Sequence, residues 1–184
     1  ALAKQGRRVL LIDADKQGST TAWAGLRNEP AFQVVSMARE NMAKEAIRLA
    51  ESYDHTILDG PPHAEQLARS CIIASDFVAL PIEPSGLSTW ASNLTVRQVQ
   101  EAQDYKDNLK CGFVVSRKIG KTVIGRDIRA MAAETGIPIL DAEIEQRVAF
   151  AESMTMGNTI FEWSPDSPAA AEIERLTEEI LSHA

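Results

Sequence analysis

Three aspartates carry the strongest chemical signal in this 184-residue sequence. Asp13 and Asp15 follow the apolar run Val9-Leu10-Leu11-Ile12 with one residue between them, and Asp59 follows Thr56-Ile57-Leu58. Carboxylates leaving the ends of apolar runs in this way suit a hard divalent cation. Magnesium takes oxygen ligands, keeps several of its waters, and is usually held by one or two carboxylates together with substrate phosphates. An apolar strand that ends in Asp is also how nucleotide hydrolases fix that metal. Aspartate is equally a turn and helix-capping residue, so each of the three taken singly reads either way.

For the three acids to converge, the runs that end in them must lie side by side. Short, continuously apolar runs suit strands covered on both faces in a parallel sheet. Two more, Phe77-Val78-Ala79-Leu80 and Gly112-Phe113-Val114-Val115, end at Pro81 and at Ser116-Arg117. Between the runs, apolar residues at three- and four-residue spacing predict helices over 41–52, 64–74, 87–105 and 123–135. A short edge strand is expected over 137–140, and further helices over 147–156 and 169–181. Ser19, Thr20 and Thr21 read as a helix start. Alternating strands and helices imply right-handed crossovers and an α/β fold, a doubly wound, mostly parallel sheet in one domain spanning 1–184. Ligands in such sheets sit at the carboxyl ends of the strands, where these acids fall.

Composition narrows the partners. Nineteen Lys and Arg against twenty-six Asp and Glu give a formal charge of −7, so any nucleic-acid contact has to use a local basic patch. The densest is Arg117, Lys118, Lys121, Arg126 and Arg129, with Arg147 as a second candidate; a solvated helix face reads equally well. Cys71 and Cys111 lack metal or redox spacing and read as buried thiols. His55 and His63 flank Asp59 without the geometry of a metal site. No apolar run is long enough to span a bilayer.

Several strings, taken in order, resemble the ParA-type partition ATPases of the ParA/MinD superfamily, the short plasmid type most of all. They are Leu10-Leu11-Ile12-Asp13-Ala14-Asp15-Lys16-Gln17-Gly18-Ser19, Thr56-Ile57-Leu58-Asp59-Gly60-Pro61-Pro62, Ser75-Asp76 through Leu80-Pro81-Ile82-Glu83-Pro84-Ser85, and Ile144 through Gly157. The resemblance implies a P-loop NTPase-like three-layer α/β/α fold with ATP and Mg2+ as cofactors. It implies that Asp15 positions or activates the attacking water and that Asp13 supports the magnesium and phosphate site. Asp59 would hold magnesium through a water and report the γ-phosphate to the second switch, Gly60-Pro61-Pro62. Ser116, Arg117 and Pro81 would stand near the base. Lys16 departs from the family's usual proline, and Ser116 from its asparagine.

The resemblance further implies an ATP-dependent homodimer, non-specific DNA binding by the basic residues named above, and a centromere-binding partner of the ParB or ParG kind that stimulates hydrolysis. The location expected is cytoplasmic, nucleoid-associated in the ATP form, with no membrane. Yet no GxxxxGK[ST] string occurs, so the expected fold lacks its first βα unit, and the native protein is expected to continue upstream of the helix end read at Ala1 to Gly6. Without that loop, the 184 residues themselves are expected not to hydrolyse ATP. Two other readings stand beside this one. One is a MinD-like positioning ATPase, against which the acidic C-terminal segment counts; the other is a non-catalytic scaffold that keeps the fold.

Overall fold

The computed structural model describes residues 1–27, 29–61, 65–83, 88–119 and 132–183, with backbone alone for 88–93. The chain opens with a helical turn closed at Gly6, whose φ of 78° is the left-handed value that favours glycine. The Gly6 N–H donates to Ala3 O and the Arg7 N–H to Leu2 O, the paired bonds of a helix C-terminus.

Strand β1 (Val9–Asp13) lies between β2 (Gln33–Ser36) and β3 (His55–Asp59), and its run is continuously apolar because residues on both of its faces are buried. All three run parallel in the order β2-β1-β3. A second parallel pair joins β4 (Phe77–Ile82) to β5 (Lys110–Val115). Among the described residues, β3 and β4 do not pair with each other, so each presents an open inner edge. On that edge strand, Ile57 is 47% exposed.

Helices connect the strands: α1 (Ser19–Ala24), α2 (Ala43–Ala50), α3 (Glu65–Ala74) and α4 (Ser88–Gln103). The chain closes with α5 (Val148–Thr155), α6 (Ile160–Trp163) and α7 (Pro168–His183). Helix α3 packs on both α2 and α4, and it spans two separate cores. Its Leu67 and Cys71 join Leu10, Ile12 and Met42, whereas its Ile72 joins Leu80, Val99 and Phe113. A smaller cluster of Ile160, Ala169 and Ala170 binds the last three helices together. The parallel α/β class expected from the sequence is therefore present, as a strand layer interrupted between β3 and β4 whose two cores both include residues of α3.

Two local expectations differ from the structure. Strand β2 was not foreseen, and 137–140 makes only an isolated bridge, Ile139 to Phe113. Pro138 explains the second, since it has no N–H for a ladder and its carbonyl merely accepts from Phe113. Of the helix expected over 123–135, residues 123–131 lie outside the described residues; 132–135 are helical.

Candidate functional site at the carboxyl ends of the strands

The parallel register sets Asp13 directly opposite Asp59 at the ends of β1 and β3. Backbone bonds continue the pairing past them, with Ala14 N–H donating to Asp59 O at 3.0 Å. From there the chain turns on its own side chains. Asp13 Oδ1 accepts from the Asp15 N–H at 3.1 Å, and Asp15 Oδ1 from the Gln17 N–H at 3.0 Å. These two aspartate turns hand the chain to Gly18, at φ 66°, and α1 follows.

Helix α1 then fastens both strand-end acids. Asp13 Oδ2 accepts from the backbone N–H and the hydroxyl of Thr21, each at 2.7 Å. Asp59 Oδ2 accepts from the Thr20 hydroxyl at 2.5 Å. Asp13 is fully buried, its charge balanced by these three donors. Asp15 is half-buried and Asp59 exposed. Behind Asp59 the Cys71 thiol is pushed up to about 11 by burial and, secondarily, by the Asp59 charge, so it stays protonated near neutrality. Both cysteines are buried and unpaired.

Asp13 and Asp59 lie side by side at one sheet edge, with Asp15 on the loop that follows, and the three fit magnesium unequally. Asp59 offers an exposed carboxylate, and Asp15 is half-buried on the loop after Asp13, which suits an ion held by few protein oxygens and many waters. Asp13 has both oxygens engaged by protein donors and serves to shape the loop. Among the described residues no group of three or more His, Cys, Asp or Glu side chains is placed to hold a metal ion by itself. His63 lies outside the described residues.

The residues expected near a base form a second cluster, at the ends of β4 and β5. Pro81 pairs with Val114, and the Ser116 N–H donates to Ile82 O at 2.9 Å. Arg117 has φ 52°, a left-handed value that costs a non-glycine residue about 1 kcal/mol, and its guanidinium meets Glu83 at 2.8 Å. Of the basic candidates, Lys118 pairs with Glu143. Arg147 grips Glu172 at 2.6 Å and Glu145 at 2.9 Å. Lys121, Arg126 and Arg129 lie outside the described residues.

Two groups of contacts were not legible in the sequence. Thr20 and Thr21 read there only as a helix start. Arg27, its side chain 8% exposed, lies over the Trp23 ring and donates to Gly157 O at 2.7 Å and to Glu162, tying the end of α1 to α5 and α6. The two partners of that ion pair are 135 residues apart, beyond any local signal.

Comparison with known proteins gives this arrangement its context. The maintenance of carboxysome distribution protein A of Halothiobacillus neapolitanus is 26% identical over 183 residues, covering 96% of this chain and 84% of that protein. The chromosome-partitioning ATPase Soj of Thermus thermophilus is 28% identical over 216 residues, covering 98% and 86%. Among solved structures, apo McdA of Cyanothece superposes with a TM-score of 0.78 at 19% identity, over 97% of this chain and 89% of that one. Residues 1–160 match the family described as the CobQ/CobB/MinD/ParA nucleotide binding domain, which includes both strand-end acids and the loop that joins β1 to α1, and the chain belongs to that family.

Proposed function

We propose that the chain is the body of an ATP-dependent partition or positioning ATPase, in which nucleotide and magnesium control two loops. The observation that carries this reading is the pairing of Asp13 with Asp59 in register, with Asp15 on the adjoining loop. Phosphoryl transfer asks the protein for positioning and charge neutralisation more than for covalent chemistry. Asp59 would bind magnesium through a water, Asp15 would orient the attacking water, and Asp13 would hold the loop that carries Asp15. Bound magnesium would neutralise charge developing on the phosphates.

The finer reading is a partition ATPase. In it the ATP-bound homodimer binds DNA non-specifically through candidates Arg117, Lys118, Lys121, Arg126, Arg129 and Arg147, and a ParB- or ParG-like partner triggers hydrolysis. Pro81, Ser116 and Arg117 would line the base. Residues 1–184 contain no phosphate-cradling GxxxxGK[ST] loop, so the test supplies one from a relative.

Cargo positioning remains the second reading, favoured by the resemblance to a carboxysome distribution protein. A version that inserts its last helix into a lipid surface is disfavoured. Three of the four acids of α7 are engaged with the body: Glu172 with Arg147, Glu174 with Lys4, and Glu179 with the Asp141 and Ala142 amides. No described helix is long and apolar enough to cross a membrane.

The test compares the 184-residue chain with a chimera that adds the strand, loop and helix of a relative. The chain alone should fail to hydrolyse ATP, and the chimera should hydrolyse it with magnesium. In the chimera Asp15→Ala should bind ATP and turn it over at least about a hundredfold more slowly. Unchanged turnover would remove Asp15 from its role, and an inert chimera would count against the ATPase reading itself.

A further inference from the structure

Helix α1 is six residues long, too short to hold its shape or place without tethers. At its far end Trp23 is buried against Phe32 and beneath Arg27. At its near end it has two side-chain tethers, and they differ in one respect. The Thr21 tether runs to the fully buried Asp13, which solvent does not reach. The Thr20 tether runs to Asp59, whose carboxylate is exposed, so a cation with its hydration shell can compete for the same oxygen.

We infer that Thr20 is a positioning residue, a displaceable latch whose hydroxyl joins the loop after β1 to the loop after β3 through Asp59. While the latch is closed, Asp59 Oδ2 is occupied and α1 is docked. When a hydrated cation takes that oxygen, the N-terminal turn of α1 loses one of its two side-chain tethers, and the loop carrying Asp15 is held by Asp13 alone. The two strand-end loops thus report to one another through a single hydroxyl. The purpose assigned to the latch rests on the nucleotide reading above; its existence does not.

The test uses the ligand-free full chain and hydrogen exchange read by mass spectrometry over residues 14–25 and 58–61. Thr20→Val and Asp59→Ala should each raise exchange in both segments by about fivefold. The double variant should exceed neither single one, because both remove the same bond. Thr20→Ser, which keeps the hydroxyl, should retain the original protection. Unchanged exchange in Thr20→Val, additive effects in the double variant, or a serine variant that behaves like valine would each overturn the latch. Since no nucleotide is present, a failure of the chain or its chimera to use ATP would overturn the proposed function while leaving this coupling intact.

Discussion

Asp13 and Asp59 are opposite partners in the β1–β3 register, yet the first is fully buried with three protein donors and the second is exposed with one. Equivalent positions in the sheet therefore carry different burdens. Asp13→Ala would leave the Thr21 amide and hydroxyl and the Asp15 amide without their acceptor, at a cost of about 3 kcal/mol. Asp59→Ala should cost no more than about 1 kcal/mol. Urea unfolding of the two variants measures the difference directly; equal losses would refute the division of roles.

The Arg27–Glu162 pair joins elements distant in sequence, and its arginine is nearly inaccessible to solvent. Arg27→Ala should destabilise the chain by about 1 to 2 kcal/mol, since it leaves the Gly157 carbonyl without its side-chain donor and Glu162 with only the Thr159 N–H and hydroxyl. A double-mutant cycle with Glu162→Gln should give a coupling of about 1 kcal/mol or more.

Acid titration offers an independent check on the same pair. Hydrogen bonding from Arg27 holds the Glu162 carboxyl at about 2, against an ordinary 4.5. A carboxyl depressed in the folded state stabilises it fully above the unfolded value and loses that contribution as pH falls through the folded one. The wild-type chain should therefore lose stability between pH 4.5 and about 2 more steeply than Glu162→Gln. Parallel pH profiles would contradict the assignment.

Two glycines separate backbone strain from crowding. Gly18 and Gly157 have φ of 66° and 70°, but a Cβ on Gly18 would meet open space, whereas one on Gly157 would lie 2.8 Å from the Leu26 Cβ. Gly18→Ala should cost about 1 kcal/mol for the left-handed backbone alone. Gly157→Ala should cost about 1 to 3 kcal/mol more, because α5 and the end of α1 must move apart. Thermal unfolding midpoints would rank them in that order.

Arg147 and Lys118 are both candidates for DNA contact, and the structure distinguishes how each would fail. Arg147 neutralises Glu172, which is 4% exposed, so Arg147→Ala should destabilise the chain by stranding a buried charge. Lys118→Ala should leave stability within about 1 kcal/mol. If it contacts a phosphate, the salt dependence of DNA binding should become shallower by about one unit of log–log slope. Filter binding of the nucleotide-loaded chimera at several salt concentrations provides the measurement.

The strands that the sequence revealed are those whose periodicity is unambiguous. β1, β3, β4 and β5 are apolar runs bounded by Asp or by turn residues, and burial on a parallel sheet leaves that mark. β2 escaped notice because its Gln33 and Ser36 are exposed and only Val34 and Val35 are apolar, a pattern too short to separate from a loop. The adjacency of Asp13 and Asp59 was legible because the carboxyl ends of parallel strands share one edge. The different environments of those acids were not, since they depend on which hydroxyl of Ser19-Thr20-Thr21 faces which carboxylate. That choice is made by the orientation of α1, which is set in turn by Trp23 and Arg27 at its far end.

The interrupted strand layer has a consequence for how the chain folds. With no backbone ladder between β3 and β4, the β2-β1-β3 and β4-β5 sheets form separate nuclei, each closed by its own apolar cluster. Helix α3 contributes to both and is the described element that joins their cores. Between the two apolar cores the described link is Leu67, Cys71 and Ile72 of this ten-residue helix, while Arg27–Glu162 and Lys4–Glu174 add ionic ties from the first half to the C-terminal helices. Denaturant should therefore open the molecule in two steps, and a cavity cut into α3, as in Leu67→Ala, should widen the interval between them.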